Sequence, residues 1–273
     1  MTGTVPTRDR PTCPVSVVIP CYRCAATIGR AVESVAAQSL LPAELILVDD
    51  ASDDDTLSSL RRLQYRYGAN WIRIITNSGN SGAGAARNAG WDAAQSGYLA
   101  FLDADDAWHP QKLEIQLQFM LSHPEAALSG HGAVIDAAFP PLPAPGNIAF
   151  ETVTFTQLLF ANRFVTPSVM LKTSLPYRFR SGQRHMEDHL LWMQIATRGA
   201  TVLRLGAELA VTFKPAYGAS GLSSNLWQME KAECGNYIFL AQSGTITRYS
   251  ALALCAFSAL KFLKRLIVVG LRR

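Results

Sequence analysis

The sequence predicts one α/β domain with a doubly wound, mainly parallel sheet flanked by helices, followed by an amphipathic C-terminal helix. The length of 273 residues suits one large α/β domain or one domain with an appendage. Hydrophobic residues make up 49% of the chain and charged residues 17%, a balance that excludes wholesale disorder. Strand patterns alternate with helix patterns in the first half, which indicates crossover helices between parallel strands.

The first half of the chain supplies the predicted parallel strands. Each strand is a short apolar run, and each helix carries apolar residues three or four positions apart. Pro20 is expected to end the first strand, Asp55 or Thr56 to cap the second helix, and Pro110 to open the fourth. The predicted strands cover 15–19, 45–48, 71–75 and 98–102, and the predicted helices about 26–38, 56–63, 85–94 and 110–120.

Residues 1–13 are polar, contain proline and are predicted to be disordered.

The second half of the chain has a less regular pattern. The predicted elements after residue 125 are a proline-rich loop at 138–147, strands at 165–171 and 202–205, and helices at about 186–197 and 225–242.

The net charge of +4 is distributed unevenly. Five of the 25 basic residues and none of the 21 acidic residues lie in 250–273, so residues 1–249 carry a net charge of −1. This near-neutral body argues against a nucleic-acid-binding protein, because binding to a phosphate backbone needs a basic face on the folded domain.

Residues 250–273 are predicted to form a basic amphipathic helix. Ser258, Lys261, Lys264 and Arg265 fall on one side of it, and large apolar side chains cover much of the rest. Two interpretations stay open: the helix lies on an anionic membrane surface, or it packs on protein with its basic edge in water. The chain has no stretch of ~20 uninterrupted apolar residues, so no transmembrane helix is predicted.

The five cysteines indicate free thiols. Their number is odd, and the N-terminus lacks the apolar core of a signal peptide, which favours a reducing cytoplasmic compartment. Cys21 and Cys24 follow a strand and open a helix, as in thioredoxin-like redox motifs. Redox chemistry would leave the acidic clusters unexplained, so buried structural thiols are the favoured interpretation.

Eight of the twelve aspartates follow the ends of two predicted strands. Loop and helix-cap preferences account for part of this enrichment. However, the carboxyl ends of parallel strands meet at one edge of a sheet, where crowded carboxylates repel each other unless positive charge lies between them. A divalent cation with a phosphorylated ligand would supply that charge balance. The eight residues are Asp49, Asp50, Asp53, Asp54 and Asp55, then Asp103, Asp105 and Asp106.

A glycine-rich loop at 77–84 leads into the third helix. Its Gly82-x-Gly84-x-x-Arg87 spacing lacks the third glycine of a dinucleotide fingerprint, and the loop lacks the lysine of a P-loop. Arg87 lies in the first turn of the helix, where it is positioned to reach a diphosphate. The segment HMEDH at 185–189 departs from the zinc-protease motif HExxH, which argues against a metalloprotease.

Taken together, these motifs resemble those of the family 2 glycosyltransferases, inverting enzymes with the Rossmann-like GT-A fold. Each motif alone is moderately specific, but their order and spacing together are strong. The resemblance runs from about residue 14 to about 215. It is carried by VVIPCY at 17–22, ILVDDAS at 46–52, NSG at 80–82, ARNAG at 86–90, FLDADD at 101–106, TPSVM at 166–170 and EDHLLW at 187–192.

The resemblance implies transfer of a sugar from a nucleotide-sugar donor to a hydroxyl of a glycan or lipid-linked acceptor, with inversion. It implies Mg²⁺ or Mn²⁺ as the cofactor and Asp188 as the general base. The other implied site residues are Pro20, Tyr22, Asp50, Arg87, Asp103 and Ala104 for the donor, Asp105 and Asp103 for the metal, and Glu187 and Trp192 on the acceptor side.

The same resemblance divides the domain into a nucleotide-sugar-binding half at 14–108 and an acceptor-binding half at 109–249. The expected location is cytoplasmic, with peripheral contact to the inner face of the cytoplasmic membrane if 250–273 bind lipid. The alternative is a non-catalytic nucleotide-sugar-binding or scaffold protein of the same fold, which the intact Asp103-Ala104-Asp105 motif disfavours. Ala51 stands where the family usually has glycine, which predicts a turn without positive φ.

Overall fold

The computed structural model of the chain describes residues 10–143, 147–197, 199–213 and 225–271, with side chains through residue 263. The predictions for residues 1–9, 144–146 and 272–273 lie outside these ranges. The described strands are β1 (Thr12–Cys21), β2 (Leu41–Asp49), β3 (Ile72–Thr76), β4 (Tyr98–Phe101), β5 (Ala107–Trp108), β6 (Ala126–Ile135), β7 (Phe150–Thr152), β8 (Met170–Lys172) and β9 (Thr201–Thr212). The described helices are α1 (Ile28–Ala36), α2 (Thr56–Tyr67), α3 (Ala83–Ala93), α4 (Lys112–Ser122), α5 (Phe155–Phe160), α6 (Glu187–Ala196), α7 (Leu226–Gln242) and α8 (Arg248–Leu271).

The described strands form one mixed sheet in the order β3-β2-β1-β4-β8-β6-β9-β5, with β7 paired to β9. The four strands that the sequence predicted in the first half, β1 to β4, are parallel to one another. Strand β8 is antiparallel to both β4 and β6, and β6 is parallel to β9. The predicted α/β class with a mainly parallel, helix-flanked sheet is confirmed, and the sheet extends without a break from the parallel half into the mixed half.

Strand β1 lies inside the sheet and is buried on both faces. Val17 belongs to the apolar core on one face, while Val18 belongs to the core on the other. Helix α3 approaches β1 closely at Gly90, where a Cβ atom would lie 2.4 Å from Val18 Cγ1. The absence of a side chain at Gly90 therefore sets the distance between this helix and the sheet.

Several boundaries differ from those predicted. Strand β1 already includes Thr12 and Cys13, which were expected to be disordered, and it continues through Pro20 to Cys21. Pro20 is tolerated there because β1 pairs with β4 only as far as Val18, so its missing N–H removes no hydrogen bond on that side.

The predicted strand at 165–171 is mostly not a strand. Residues Thr166–Ser168 form a 3₁₀ turn, and β8 begins only at Met170. Pro167 explains the change, since its fixed φ and missing N–H favour the turn over strand pairing. Strands β6 and β7 and helix α5 are elements that the sequence patterns did not indicate.

The last two described helices, α7 and α8, pack against each other. The predicted C-terminal helix at 250–273 corresponds to α8. None of the helices within the described ranges combines the length and hydrophobicity that a membrane crossing needs.

Candidate functional site

A large cleft runs along the carboxyl ends of β1, β2 and β4 and continues to the start of α6. Its volume is about 1130 Å³. One end is lined by Pro20, Tyr22 and Asp50, and the other by Thr166 and Asp188. The fold thus joins residues from both halves of the chain in one cleft, at the strand ends where ligands bind in open α/β sheets.

Asp50 follows β2 and holds the glycine-rich loop in place. Its buried carboxylate accepts hydrogen bonds from Asn77 Nδ2 at 2.8 Å, from the Ser81 N–H at 3.1 Å and from the Gly82 N–H at 2.7 Å. Gly82 has a φ of +92°, a conformation that a residue with a side chain would adopt only with strain. The Ser81 N–H lies 3.1 Å from each of the two carboxylate oxygens, so three N–H donors of the chain already contact Asp50.

The turn after β2 has a left-handed residue that the sequence did not predict. Ala51 has a φ of +56°, although the absence of glycine predicted an ordinary backbone there. Ser52 N–H donates to Asp49 Oδ1 at 3.3 Å, and Asp50 N–H donates to the Cys21 carbonyl at 2.8 Å. These bonds from neighbouring residues hold Ala51 in the left-handed region, whose cost is about 1–2 kcal/mol for a residue other than glycine.

Tyr22 and Arg23 form the outer wall of this end of the cleft. Tyr22 is 43% exposed, and the Arg23 guanidinium lies 5.4 Å from the centre of its ring. Arg23 also donates hydrogen bonds to both carboxylate oxygens of Asp53, which holds the pKa of Asp53 below its usual value. Asp53 is therefore occupied by a surface ion pair rather than aimed into the cleft.

Arg87 forms a buried ionic bridge across the floor of the cleft. Its Nη2 donates to Asp103 Oδ1 at 2.7 Å and its Nη1 donates to Glu187 Oε1 at 3.1 Å. Burial opposes the charged guanidinium, but Asp103 and Glu187 outweigh that effect and raise the pKa of Arg87. For Glu187, burial disfavours the charged carboxylate and raises the pKa, whereas the positive charge of Arg87 acts to lower it.

This bridge changes the expected role of Arg87. Its place in the first turn of α3 predicted a guanidinium able to reach a diphosphate. The side chain is only 6% exposed, however, and two of its nitrogens contact the chain's own carboxylates. Arg87 therefore acts here by fixing Asp103 relative to the first turn of α6. Glu187, expected on the acceptor side, lines the cleft as the other end of that bridge.

The segment after β4 brings three carboxylates together. Asp103, Ala104, Asp105 and Asp106 all line the cleft. Burial, and then the neighbouring charges of Asp103 and Asp105, raise the pKa of Asp106 to about 8. Asp103 keeps 29% of its side chain exposed, and only its Oδ1 atom contacts Arg87.

These residues suit a cation that is shared with a phosphorylated ligand. Among the residues described, no group of three or more His, Cys, Asp or Glu side chains could hold a metal ion. Mg²⁺ characteristically takes one or two carboxylates and completes its shell with phosphate oxygens and water. The crowding of negative charge around Asp106 is the observation that fits such an ion, because a cation would relieve it.

Asp188 lines the cleft from the first turn of α6, next to Glu187. Its Oδ2 accepts hydrogen bonds from Asn162 Nδ2 at 3.2 Å and from Thr166 Oγ1 at 3.3 Å, and its Oδ1 accepts one from the His189 N–H at 2.7 Å. Met186, the residue before α6, has a φ of +53°. Left-handed residues other than glycine are often found at functional sites, where surrounding contacts maintain the strain.

Trp192 does not occupy the predicted acceptor side. Its side chain is fully buried in the core, with its ring centre 6.1 Å from that of Phe179, and it does not line the cleft. Trp192 lies four residues after Asp188 and therefore on nearly the same side of α6, but it is one turn further along the helix, where the core encloses its side chain. The acceptor contact expected for Trp192 is therefore wrong in this fold.

Two other sequence motifs are explained by burial. His189 is fully buried with its Nε2 atom 2.7 Å from the Leu158 carbonyl oxygen, and burial lowers its pKa. Cys21 and Cys24 are buried free thiols. Cys24 lies against α2, where its N–H donates to Thr56 Oγ1 at 2.8 Å.

Sequence reasoning missed several residues of the cleft wall. Asn162 and Arg163 follow α5, His131 and Arg204 come from β6 and β9, and Lys261 comes from α8. Burial, followed by the charge of Lys112, lowers the pKa of His131 to about 3, so its imidazole stays neutral. A single histidine or arginine in a strand that was not predicted has no neighbouring motif that would mark it as part of a site. For this side of the cleft, only the TPS segment at 166–168 was part of a recognisable motif.

Comparison with known proteins agrees with this geometry. Residues 16–182 match the family described as Glycosyl transferase family 2. The chain is 31% identical over 182 residues to the UDP-Glc:alpha-D-GlcNAc-diphosphoundecaprenol beta-1,3-glucosyltransferase WfgD of Escherichia coli, which covers 66% of this chain and 69% of that protein. It is 32% identical over 227 residues to the putative teichuronic acid biosynthesis glycosyltransferase TuaG of Bacillus subtilis, which covers 80% of this chain and 84% of that protein.

Solved structures show the same fold at low sequence identity. The crystal structure of S. aureus TarS 1-349 superposes with a TM-score of 0.63 and covers 90% of this chain and 70% of that chain. The complex of TarS 1-349 with UDP-GlcNAc gives a TM-score of 0.66 and covers 83% of this chain and 66% of that chain. Identity is 18% in both cases, so these two likenesses bear on the fold alone.

Proposed function

Since the chain belongs to glycosyl transferase family 2 and is a glycosyltransferase of the GT-A fold, we propose that it moves a sugar from a UDP-sugar to a hydroxyl group of a lipid-linked glycan, with inversion. The names of the relatives support the two substrates. The Escherichia coli relative is named for UDP-Glc and for a diphosphoundecaprenol-linked acceptor, and TarS has been crystallised with UDP-GlcNAc.

The observation that carries the proposal is the position of Asp188 relative to the donor end of the cleft. Asp188 and the Asp50 and Asp103 side chains line the same cleft, while Asn162 and Thr166 orient the Asp188 carboxylate. A general base needs to meet the acceptor hydroxyl in a fixed orientation next to the bound donor. The bridge from Asp103 through Arg87 to Glu187 supports this arrangement, because it links the donor wall to the turn that carries Asp188.

In the proposed step, Asp188 accepts the proton of the acceptor hydroxyl as the hydroxyl oxygen forms a bond with the anomeric carbon of the donor. The bond between that carbon and the diphosphate oxygen breaks, and the nucleoside diphosphate leaves with its electron pair. A single displacement of this kind inverts the anomeric configuration and needs one carboxylate. A retaining glycoside hydrolase, by contrast, uses two carboxylates about 5–5.5 Å apart, one of which acts as the nucleophile.

At the donor end, Pro20, Tyr22 and Asp50 would hold the nucleotide, with Asp50 accepting a hydrogen bond from the base. Asp105 and Asp103 would hold Mg²⁺ or Mn²⁺ on the diphosphate. A divalent ion in that position supplies Lewis-acid stabilisation of the leaving diphosphate. Ala104 lies between these two carboxylates and lines the same wall.

The proposal includes a peripheral contact with the inner face of the cytoplasmic membrane, where a lipid-linked acceptor would be found. Two observations support it. The acceptor in the name of the Escherichia coli relative carries an undecaprenol lipid. Residues 250–273 hold five basic residues and no acidic one.

The proposal is tested by replacing the base. UDP-sugars are first screened by thermal shift with Mn²⁺, and the stabilising donor is then assayed with a polyprenyl-diphosphate-linked sugar. Asp188→Asn should lower kcat by about 10²–10⁴-fold, the usual contribution of a general base, while the Kd for UDP stays unchanged. Asp92→Asn is the matched control, since Asp92 forms an exposed ion pair with Arg178 outside the cleft.

Full transfer activity in Asp188→Asn would refute the assignment of the base. The metal is tested separately by calorimetry, in which Asp105→Asn should abolish the gain in UDP affinity that Mn²⁺ produces. Equal Mn²⁺-dependent affinity in wild type and Asp105→Asn would contradict the metal role. If Asp188→Asn and wild type bind UDP equally and neither transfers sugar to any acceptor tested, a binding or scaffold role is favoured instead.

A further inference from the structure

Helix α8 packs on the protein through one side only. Ala251 and Leu254 are buried in the core, and Ser258 is fully buried. Phe257 packs edge-on against Phe160 of α5 at a ring distance of 5.4 Å. The helix is therefore docked on the domain rather than extended into solvent along its described length.

An ion pair fixes which side of α8 faces the protein. Lys261 Nζ donates to Glu233 Oε1 at 2.7 Å and to the Phe160 carbonyl oxygen at 3.0 Å. The Glu233 side chain is only 2% exposed, and it also accepts a hydrogen bond from Tyr237 Oη at 3.0 Å. Turning α8 about its axis would leave a buried carboxylate uncompensated, which is costly.

This orientation reverses an expectation from the sequence. Ser258 and Lys261 were predicted to form part of a basic side exposed to water or lipid headgroups, yet both face the domain. The side chains of Lys264 and Arg265, which completed that predicted side, lie outside the described residues. The surface that α8 does expose is apolar.

We call this surface the α8 stripe. Its members occupy one face of the helix over three turns, a length of about 17 Å at 1.5 Å per residue. Leu252 is 69% exposed, Leu260 66% and Leu263 55%. The stripe consists of Leu252, Ala253, Ala256, Phe257, Ala259, Leu260 and Leu263.

The surroundings of the stripe match an anionic lipid surface. The stripe is followed along the chain by residues 264–273, which hold four basic residues and no acidic one. Trp227, at the start of α7, is 56% exposed and lies 5.9 Å from Phe262 of α8. Exposed tryptophan beside apolar and basic residues is typical of a helix that lies in a membrane interface.

The α8 stripe is also continuous with the acceptor end of the cleft. Phe160, which contacts Phe257 of the stripe, is 47% exposed and lines the cleft. Asn162, two residues further along the chain, donates a hydrogen bond to Asp188. A surface that binds the stripe would therefore lie beside the proposed general base.

We propose that the α8 stripe lies on the hydrocarbon boundary of an anionic lipid bilayer and directs the acceptor end of the cleft towards the membrane. The inference deepens the proposed function and rests on it, because it names the partner through which the lipid-linked acceptor is reached. The apolar stripe supplies the insertion, and the basic residues beyond it supply the attraction to anionic headgroups.

Vesicle flotation of the full chain tests this surface. We expect binding to vesicles of phosphatidylcholine mixed with phosphatidylglycerol and weaker binding to phosphatidylcholine alone. Leu252→Glu combined with Leu260→Glu should lower partitioning onto the anionic vesicles by about tenfold or more, from the lost burial of two leucines. Tyr65→Glu is the matched control, since Tyr65 is 93% exposed on α2 and does not belong to the stripe.

A second variant distinguishes loss of membrane binding from loss of folding. Ala256→Glu places a charge in the middle of the stripe without removing a packed side chain, and it should also weaken vesicle binding. The proposal would be overturned if these variants bind vesicles as well as the wild type and Tyr65→Glu do. Sedimentation velocity tests whether the stripe binds a second copy of the chain instead of a membrane. The proposal would also be overturned if the wild type is a dimer, the double variant is a monomer and neither protein binds vesicles.

Failure of this inference is distinguishable from failure of the proposed function. If the stripe binds membranes, the double variant should lose transfer to an acceptor embedded in vesicles and keep its affinity for UDP. Transfer to a short-chain acceptor in detergent tests the proposed function alone, independently of vesicle binding. Equal transfer by wild type and double variant to the vesicle-embedded acceptor would refute the membrane role and leave the transferase assignment intact.

Discussion

The buried bridge between Arg87 and Glu187 yields the most quantitative prediction. Replacing Arg87 with leucine removes the guanidinium and leaves the Glu187 carboxylate inside the protein, where that side chain is 9% exposed. Removing one partner of a buried ion pair typically costs about 3–5 kcal/mol, because the remaining charge is uncompensated. Asp103 loses its contact with Arg87 as well, but at 29% exposure it can be solvated and should add little.

We therefore expect Arg87→Leu to lower the free energy of unfolding by about 3–5 kcal/mol. A domain of this size loses about 2–4 °C in Tm for each kcal/mol, which corresponds to a decrease of about 6–20 °C. Urea unfolding followed by tryptophan fluorescence measures the change, since Trp91 and Trp192 are buried in the folded core.

An exposed pair of the same residue types provides the control. Arg66 contacts Glu33 at 3.0 Å, and the two side chains are 61% and 55% exposed. Arg66→Leu should cost at most about 1 kcal/mol, because water screens the pair. Arg87→Leu/Glu187→Leu should recover part of the loss, with a coupling energy of about 1–3 kcal/mol. Similar losses in Arg87→Leu and Arg66→Leu would refute the reasoning.

Three further predictions concern single residues. Gly90→Ala should lower the free energy of unfolding by up to about 2 kcal/mol, because overpacking against Val18 exceeds the gain in helix propensity. Gly97→Ala is the control: its Cβ atom would meet open space, so urea denaturation should show almost no change in stability. Ala51→Gly should raise the free energy of unfolding by up to about 1 kcal/mol, since glycine relieves the left-handed φ at a smaller entropic cost; a loss of stability on urea unfolding would contradict this. Trp192→Phe should cost about 1–3 kcal/mol and leave the KM for the acceptor unchanged in steady-state assays; a raised KM without a change in stability would restore the acceptor role that the buried position argues against.

Much of the structure of residues 14–108 could be predicted from the sequence because its patterns are local. A run such as 45–48 is long and apolar enough to indicate a buried strand, and Asp49 and Asp50 follow directly from where that strand ends. The glycine-rich loop and α3 were predicted within two residues for the same reason. Once the strands are parallel, their carboxyl ends meet, so the grouping of these aspartates in one cleft also follows.

Residues 109–249 were less predictable because short strands and turns are frequent there. Strand β6 was not predicted, although it supplies His131 to the cleft, since its sequence ALSGHGAV mixes small and polar residues without a clear period. The 3₁₀ turn at Thr166–Ser168 was taken for part of a strand, although Pro167 argues against strand pairing at that point.

The sequence by itself determined the family, the parallel core, the placement of the aspartates at strand ends and the amphipathic character of the last helix. Only the tertiary structure decided what these residues contact. Arg87 meets Glu187 across 100 positions of the chain, Trp192 turns into the core, and Lys261 turns towards Glu233 and leaves the apolar stripe of α8 exposed. Periodicity specifies which residues share a face of a helix or strand, but the direction in which that face points depends on partners that are distant in sequence.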